Sequence, residues 1–137
     1  MNSIRRRWVI AMLLVLFSLG ASAAERKEYH ATVDPDGVQR IEVLGGSYFF
    51  DPNYIVVKVN VPVELKIRKE SGMTPHNVVL HAPDAGMDIR LDLTTDPQVI
   101  RFTPTRAGEY EFYCDKTFLF FESHREKGMV GMLVVSP

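Results

Sequence analysis

The stretch Phe112-Tyr-Cys-Asp-Lys-Thr-Phe-Leu-Phe-Phe-Glu-Ser-His-Arg-Glu-Lys-Gly-Met-Val-Gly131 decides the reading of this chain, because it brings Cys114, His124 and Met129 onto one loop. A fourth residue of the same chemistry, His76, stands upstream in Met73-Thr-Pro-His-Asn-Val-Val-Leu80. Two imidazoles, a thiolate and a thioether are the ligand set of a mononuclear electron-transfer copper site. Soft sulfur suits Cu(I), imidazole suits either oxidation state, and a weak axial Met tunes the potential. Cys114 is the only cysteine in the chain. An unpaired thiol in an exported protein is exposed to oxidation or pairing unless something occupies it, and metal ligation does so.

Outward from these residues the chain reads as all-β. Apolar runs recur at Val38–Leu44, Tyr48–Phe50, Tyr54–Val59, Val63–Lys69, Asn77–His81, Met87–Leu93, Gln98–Thr103, Glu109–Cys114 and Met129–Val135. Several alternate, as in Ile55-Val-Val-Lys-Val59 and Val63-Glu-Leu-Lys-Ile-Arg68, which is the mark of half-buried strands. Turn signals separate them at Gly45-Gly46, Asp51-Pro52, Asn60 to Pro62, Ser71-Gly72, Pro83 to Gly86, Asp96-Pro97 and Ala107-Gly108. Short strands with frequent turns predict a Greek-key β-sandwich. The segment from Glu25 to Gly37 is read as a lead without structure of its own.

The motifs Pro75-His76-Asn77, Gly108-Glu-Tyr-Glu-Phe-Tyr-Cys114 and His124-Arg-Glu-Lys-Gly-Met129-Val-Gly131 resemble those of the cupredoxins, the plastocyanin and azurin family. The resemblance covers nearly all of the chain beyond residue 40. It implies a cupredoxin-like sandwich binding one copper ion through His76, Cys114 and His124, with Met129 as axial ligand. It also implies that Asn77 hydrogen-bonds across to the cysteine loop and steadies the ligands from behind. Met132, in the apolar strand Met132-Leu-Val-Val135, is the weaker axial candidate. Nine residues separate Cys114 from His124, a longer spacing than in plastocyanin-like or azurin-like members.

That insertion contains Phe118-Leu-Phe-Phe121 and no Gly or Pro from Thr117 to Lys127, so a short helical turn is expected in it. Two roles remain open. The aromatics either plug the end of the sandwich and keep water from the metal, or form an exposed patch that docks a redox partner. The plug is the expectation, because four large apolar side chains are costly to expose in so small a domain.

Arg5-Arg6-Arg7, the apolar run Trp8 to Gly20 and Ala21-Ser-Ala23 read as a secretory signal peptide over residues 1–24, cleaved after Ala23 or Ala24. The apolar run is too short to span a bilayer. The working domain is therefore 25–137, exported to the periplasm, soluble without a membrane anchor, and monomeric. Loss of the three leader arginines leaves 13 basic against 17 acidic residues, a formal charge of −4, which argues against nucleic acid as a partner. Nothing matches a nucleophile elbow, a phosphate loop or a zinc-protease helix, and a binuclear copper centre needs a second cysteine, so no enzyme activity is expected. The expected role is one-electron carriage to a redox partner protein. The alternative is a carrier that sequesters copper or delivers it to an acceptor without cycling it. His81 lies five residues from His76 and points to the opposite face of a period-two strand, so it is read as a surface histidine. His30 carries no motif.

Overall fold

The computed structural model describes residues 25–137, so the leader expected over residues 1–24 lies outside the described residues. Ten strands follow one another: β1 (Glu28–His30), β2 (Gln39–Gly46), β3 (Phe49–Asp51), β4 (Tyr54–Lys58), β5 (Val63–Lys69), β6 (Asn77–Ala82), β7 (Met87–Asp92), β8 (Gln98–Phe102), β9 (Gly108–Tyr113) and β10 (Val130–Ser136). They form a six-stranded sheet in the order β1-β4-β10-β9-β6-β7 and a four-stranded sheet in the order β3-β2-β5-β8. A 3-10 turn over Pro83–Ala85 is the one helical segment among the described residues. None of their helices is long and apolar enough to cross a membrane.

Alternation in the sequence becomes the two faces of the sheets. On β2, Ile41 and Val43 point inward while Arg40 and Glu42 face water; on β10, Gly131, Leu133 and Val135 point inward. These side chains meet Ile55, Val57, Ile67, Val78, Leu80 and Phe112 in one core between the sheets. Polar side chains buried among the strands need partners. Gln39 is fully buried, and its amide donates to the carbonyls of Lys58 and Val61 and accepts from the Lys58 N–H at 2.7 Å, which satisfies the group and ties β2 to the end of β4.

β1 is the strand that sequence patterning missed. All three of its residues are exposed, so it carries no alternation to read, yet it pairs in parallel with β4 through Glu28–Tyr54 and Tyr29–Ile55. The expected lead segment is thus partly an edge strand.

The sandwich brings the start of β6, the end of β9, the start of β10 and the β2–β3 turn to one end. β9 runs antiparallel to both β6 and β10, pairing Tyr113 with Val79 on one side and with Val130 on the other. Residues just outside these strand ends, His76, Cys114 and Met129, therefore become neighbours although they are distant in sequence. Gly131 makes a close approach possible there: a Cβ at this position would lie 2.2 Å from the Phe112 ring, itself buried and packed edge-on against Phe50 at 5.2 Å. Because that ring would have to shift within a packed core, Gly131→Ala is expected to destabilise the fold by about 1–3 kcal/mol, the range for overpacked cores. Urea unfolding checks this; an unchanged midpoint would show that the ring yields freely.

Candidate metal centre

His76 sits immediately before β6, where its carbonyl accepts from the Leu93 N–H at 2.9 Å and so fixes it against the end of β7. Cys114 follows β9 directly and its N–H donates to the Met129 carbonyl at 3.1 Å. The His124 N–H donates to the Lys116 carbonyl, and the Met129 N–H to the His124 carbonyl, both at 2.9 Å. Backbone hydrogen bonds thus close the long loop at its neck. Its length costs little, since closure entropy rises only slowly with residue number.

From this frame three donors converge. The Nδ1 atoms of His76 and His124 lie 3.2 Å apart, and the Cys114 Sγ lies 3.5 Å from the His124 Nδ1. One ligand atom from each of the three residues falls within 4.8 Å of the others, and all three residues are buried. Met129 is fully buried at the same corner, its methyl resting against Gly45. Met132 lies on the alternate, half-buried face of β10. The donors fit copper: two nitrogens and a thiol sulfur at the corners of one small triangle, with a thioether residue tied by its backbone to two of them.

Asn77, which the family resemblance marks as a residue bonding across to the cysteine loop, lies beside Cys114 and Asp115. Its backbone N–H donates to the Cys114 Sγ at 3.4 Å. Its side-chain amide donates to the Asp115 carboxylate at 2.7 Å and accepts from the Asp115 N–H at 3.0 Å. Sequence reading missed the next link, in which Arg90 on β7 donates to the other Asp115 oxygen at 2.7 Å. Burial works against the Asp115 charge, but the hydrogen bonds from Asn77 and Arg90 outweigh it and hold the carboxyl below its ordinary range. Tyr48 was missed as well. Its ring packs edge-on against His124 with centroids 5.1 Å apart, and no local motif marks it.

The insertion corrects the expectation placed on it. Phe118, Leu119, Phe120 and Phe121 are 67, 72, 89 and 54% exposed, so they do not plug the sandwich. The neck bond from His124 to Lys116 carries residues 117–123 away from the core between the sheets, and only Phe118 and Phe121 reach back, to the rim of a cleft they line with Tyr48, Met73 and Pro75. The rings stack together instead, Phe120 on Phe121 at 5.1 Å and Phe118 on Phe121 at 6.1 Å. The expected helical turn shrinks to isolated bonds, Phe121 N–H to Phe118 carbonyl and Lys127 N–H to Ser123 carbonyl, both at 3.1 Å. His81 is exposed and paired with Asp88 at 2.9 Å, away from the ligand triangle, as the strand period requires.

The family model for the Cupredoxin-like domain matches residues 9–135, and the chain belongs to that family. Among curated protein sequences none matches it. Its fold is similar to that of the metal-binding domain of the Streptococcus pneumoniae D39 Cu(I)-exporting P-type ATPase CopA, solved with Cu(I). That match has 19% identity and a TM-score of 0.62 over 82% of this chain and 99% of the other. A copper-binding protein solved in solution in its apo form matches with 25% identity and a TM-score of 0.58 over 80% of this chain and 97% of its own. Auracyanin A, a blue copper protein of Chloroflexus aurantiacus, matches with 21% identity and a TM-score of 0.53 over 73% and 100%.

Burial sets the protonation of the centre. It is the main cause that lowers His76 from 6.5 to about 4, with the His124 and Lys69 charges adding to it. Burial also lowers His124, helped by the Lys127 charge, and raises the Cys114 thiol. Both imidazoles therefore present free lone pairs at neutral pH, while the thiol must shed its proton on metal uptake. In the metal-free protein the unfolded chain binds imidazole protons that the folded state refuses. This part of the stability is complete above pH 6.5 and is lost as pH falls toward about 4. Thermal unfolding of the metal-free protein against pH is expected to fall through that window, and His76→Gln to flatten it. An unchanged slope in His76→Gln would show that His76 takes up its proton in the folded state.

Proposed function

We propose that this protein is a periplasmic one-electron carrier in which His76, Cys114 and His124 would hold a single copper ion, with Met129 supplying a further, weaker sulfur. The observation that carries the reading is the convergence of the two Nδ1 atoms and the Cys114 Sγ within a frame of hydrogen bonds from Asn77, Leu93, Lys116 and Met129. When bound, copper supplies a one-electron couple between Cu(I) and Cu(II). The residues supply the rest. Cys114 would provide the covalent, charge-bearing ligand, and the two imidazoles nitrogen donors that suit both oxidation states. The Asn77 N–H withdraws electron density from the sulfur by donating to it. A frame that holds the ligands fixed keeps the reorganisation on electron transfer small.

Further support comes from the sequence. Residues 1–24 carry the features of a cleaved leader, which leaves 25–137 as a soluble working domain. The single cysteine restricts the site to one metal ion, and the reading is of a carrier, not an enzyme. The exposed Phe118–Phe121 stack beside the metal centre is the face offered to a redox partner protein. The charges around it are mixed in sign: Lys116 and Arg125 pair with Asp92 and Glu111, and Lys127 stands against Glu122 and Glu126 of the same loop, so no single-sign field surrounds the stack. Docking there rests on apolar contact and should depend little on ionic strength.

A second reading, a carrier that hands copper to an acceptor, is favoured by the cleft beside His124, where the fully exposed Met73 offers a soft thioether. Both kinds of protein occur among its structural neighbours, auracyanin A being a blue copper protein and the CopA domain having been solved with Cu(I). Retention of copper in the reduced protein against a Cu(I) chelator separates the two: slow release is expected of the electron carrier.

Cys114→Ser is expected to abolish the thiolate-to-copper charge-transfer band, and a retained band would refute the ligand assignment. Met129→Leu should keep copper and raise the reduction potential, since it removes a donor that favours Cu(II), while Met132→Leu does little. A larger shift from Met132 would move the axial role there. Phe120→Ala is expected to leave stability within about 0.5 kcal/mol, as for other exposed positions, and to slow electron transfer to the partner. A marked fall in melting temperature would contradict the exposed stack.

A further inference from the structure

The β2–β3 hairpin reaches the metal centre through a residue with an unfavourable backbone. Gly46 pairs with Phe49, so the loop is the two residues Ser47 and Tyr48, and Tyr48 has φ of 65°. That conformation favours Gly, Asn or Asp, and a bulky aromatic there is a strained choice. Strain of this kind persists where the surroundings over-determine it and tends to mark functional sites. What surrounds Tyr48 is the returning arm of the ligand loop.

Three contacts define the arrangement. The Tyr48 ring meets the His124 ring edge-on, at 5.1 Å between centroids and 74° between planes. The Lys127 Nζ donates to the Tyr48 hydroxyl at 3.3 Å. The same Nζ stands 4.7 Å from the centroid of the Tyr48 ring, a cation–π distance. His124 is buried although it belongs to a projecting loop, and its other aromatic neighbour is His76, at 5.0 Å. Tyr48 therefore closes the side of His124 that the loop itself leaves open.

The geometry points to Tyr48 as a positioning residue of the metal centre: its ring seats the His124 imidazole, and its hydroxyl holds the Lys127 cation beside the site. This rests on the copper reading above and deepens it. A ring packed against His124 limits rotation about its side-chain torsions, so Nδ1 stays turned toward Cys114. A cation held close to the metal disfavours the more highly charged Cu(II) and raises the potential. The two effects belong to different parts of one side chain, so they separate by substitution.

Tyr48→Gly removes the ring while relieving the left-handed strain, so the fold is retained. In the imidazole NMR spectrum of the metal-free protein, His124 is expected as one sharp set of signals in the wild type and in Tyr48→Phe. In Tyr48→Gly it should be broadened by exchange or split. On copper loading, Tyr48→Gly is expected to shift the charge-transfer band and to weaken Cu(II) binding. Lys127→Gln should lower the Cu(I)-to-Cu(II) affinity ratio about two- to fivefold, the scale of a screened surface charge interaction. Tyr48→Phe should give part of that loss in the wild-type background and none in Lys127→Gln. Sharp His124 signals and an unshifted band in Tyr48→Gly would overturn the seating role. An equal effect of Tyr48→Phe in both backgrounds would overturn the role of the hydroxyl. Failure of the copper reading shows separately, as a wild-type protein without a charge-transfer band, and the metal-free NMR comparison still decides the seating role in that event.

Discussion

The structure around the metal centre depends on the side-chain amide of Asn77. β6 and β9 share a single ladder pair, Val79 with Tyr113. Asn77 adds bonds of its own. Its amide exchanges two hydrogen bonds with Asp115, and its own N–H donates to the Cys114 sulfur, so the end of β9 is fastened to the start of β6. His76 and Cys114 are the residues directly adjoining this clasp, and their separation is set by it. Arg90 extends the clasp to β7 by fixing the far oxygen of Asp115. Because Asn77 is 1% exposed, these bonds compete with little water, and an unmade one would leave a buried polar group without a partner.

The second constraint is the neck of the ligand loop. Bonds from Cys114 to Met129, from Met129 to His124 and from His124 to Lys116 return His124 to the cysteine whatever lies between them. The insertion is thereby free to project. A rigid centre and an exposed aromatic stack coexist because the neck isolates one from the other, and the His124 ring, which the projecting loop cannot cover, is covered by Tyr48 from the smaller sheet. Both sheets thus contribute to one site, and the sandwich fixes their relative position through its shared core.

Much of this was legible in the sequence. The apolar runs gave β2 to β10 because each carries apolar residues that are wholly or partly buried, and the imidazole and sulfur chemistry singled out His76, Cys114 and His124, the three side chains that the fold brings together. Family resemblance drew attention to Asn77, whose amide meets Asp115 in the structure. What escaped has physical reasons. β1 has no buried face and so no pattern, and Tyr48 acts across 76 positions of chain through an edge-on ring contact that no local motif encodes. The Phe118–Phe121 segment was misjudged because composition reports the cost of exposing apolar groups but not whether a core lies within their reach. Here the loop anchors decide that, and they carry the rings outward.

We propose that one sulfur and two imidazole nitrogens, held by the protein, would bind a copper ion that cycles with little rearrangement. X-ray absorption at the copper edge of the loaded protein, in both oxidation states, tests it most directly. The expected result is one short copper–sulfur distance with two nitrogen neighbours, changing little between Cu(II) and Cu(I). A nitrogen- and oxygen-only shell, or a large change in coordination number on reduction, would contradict it.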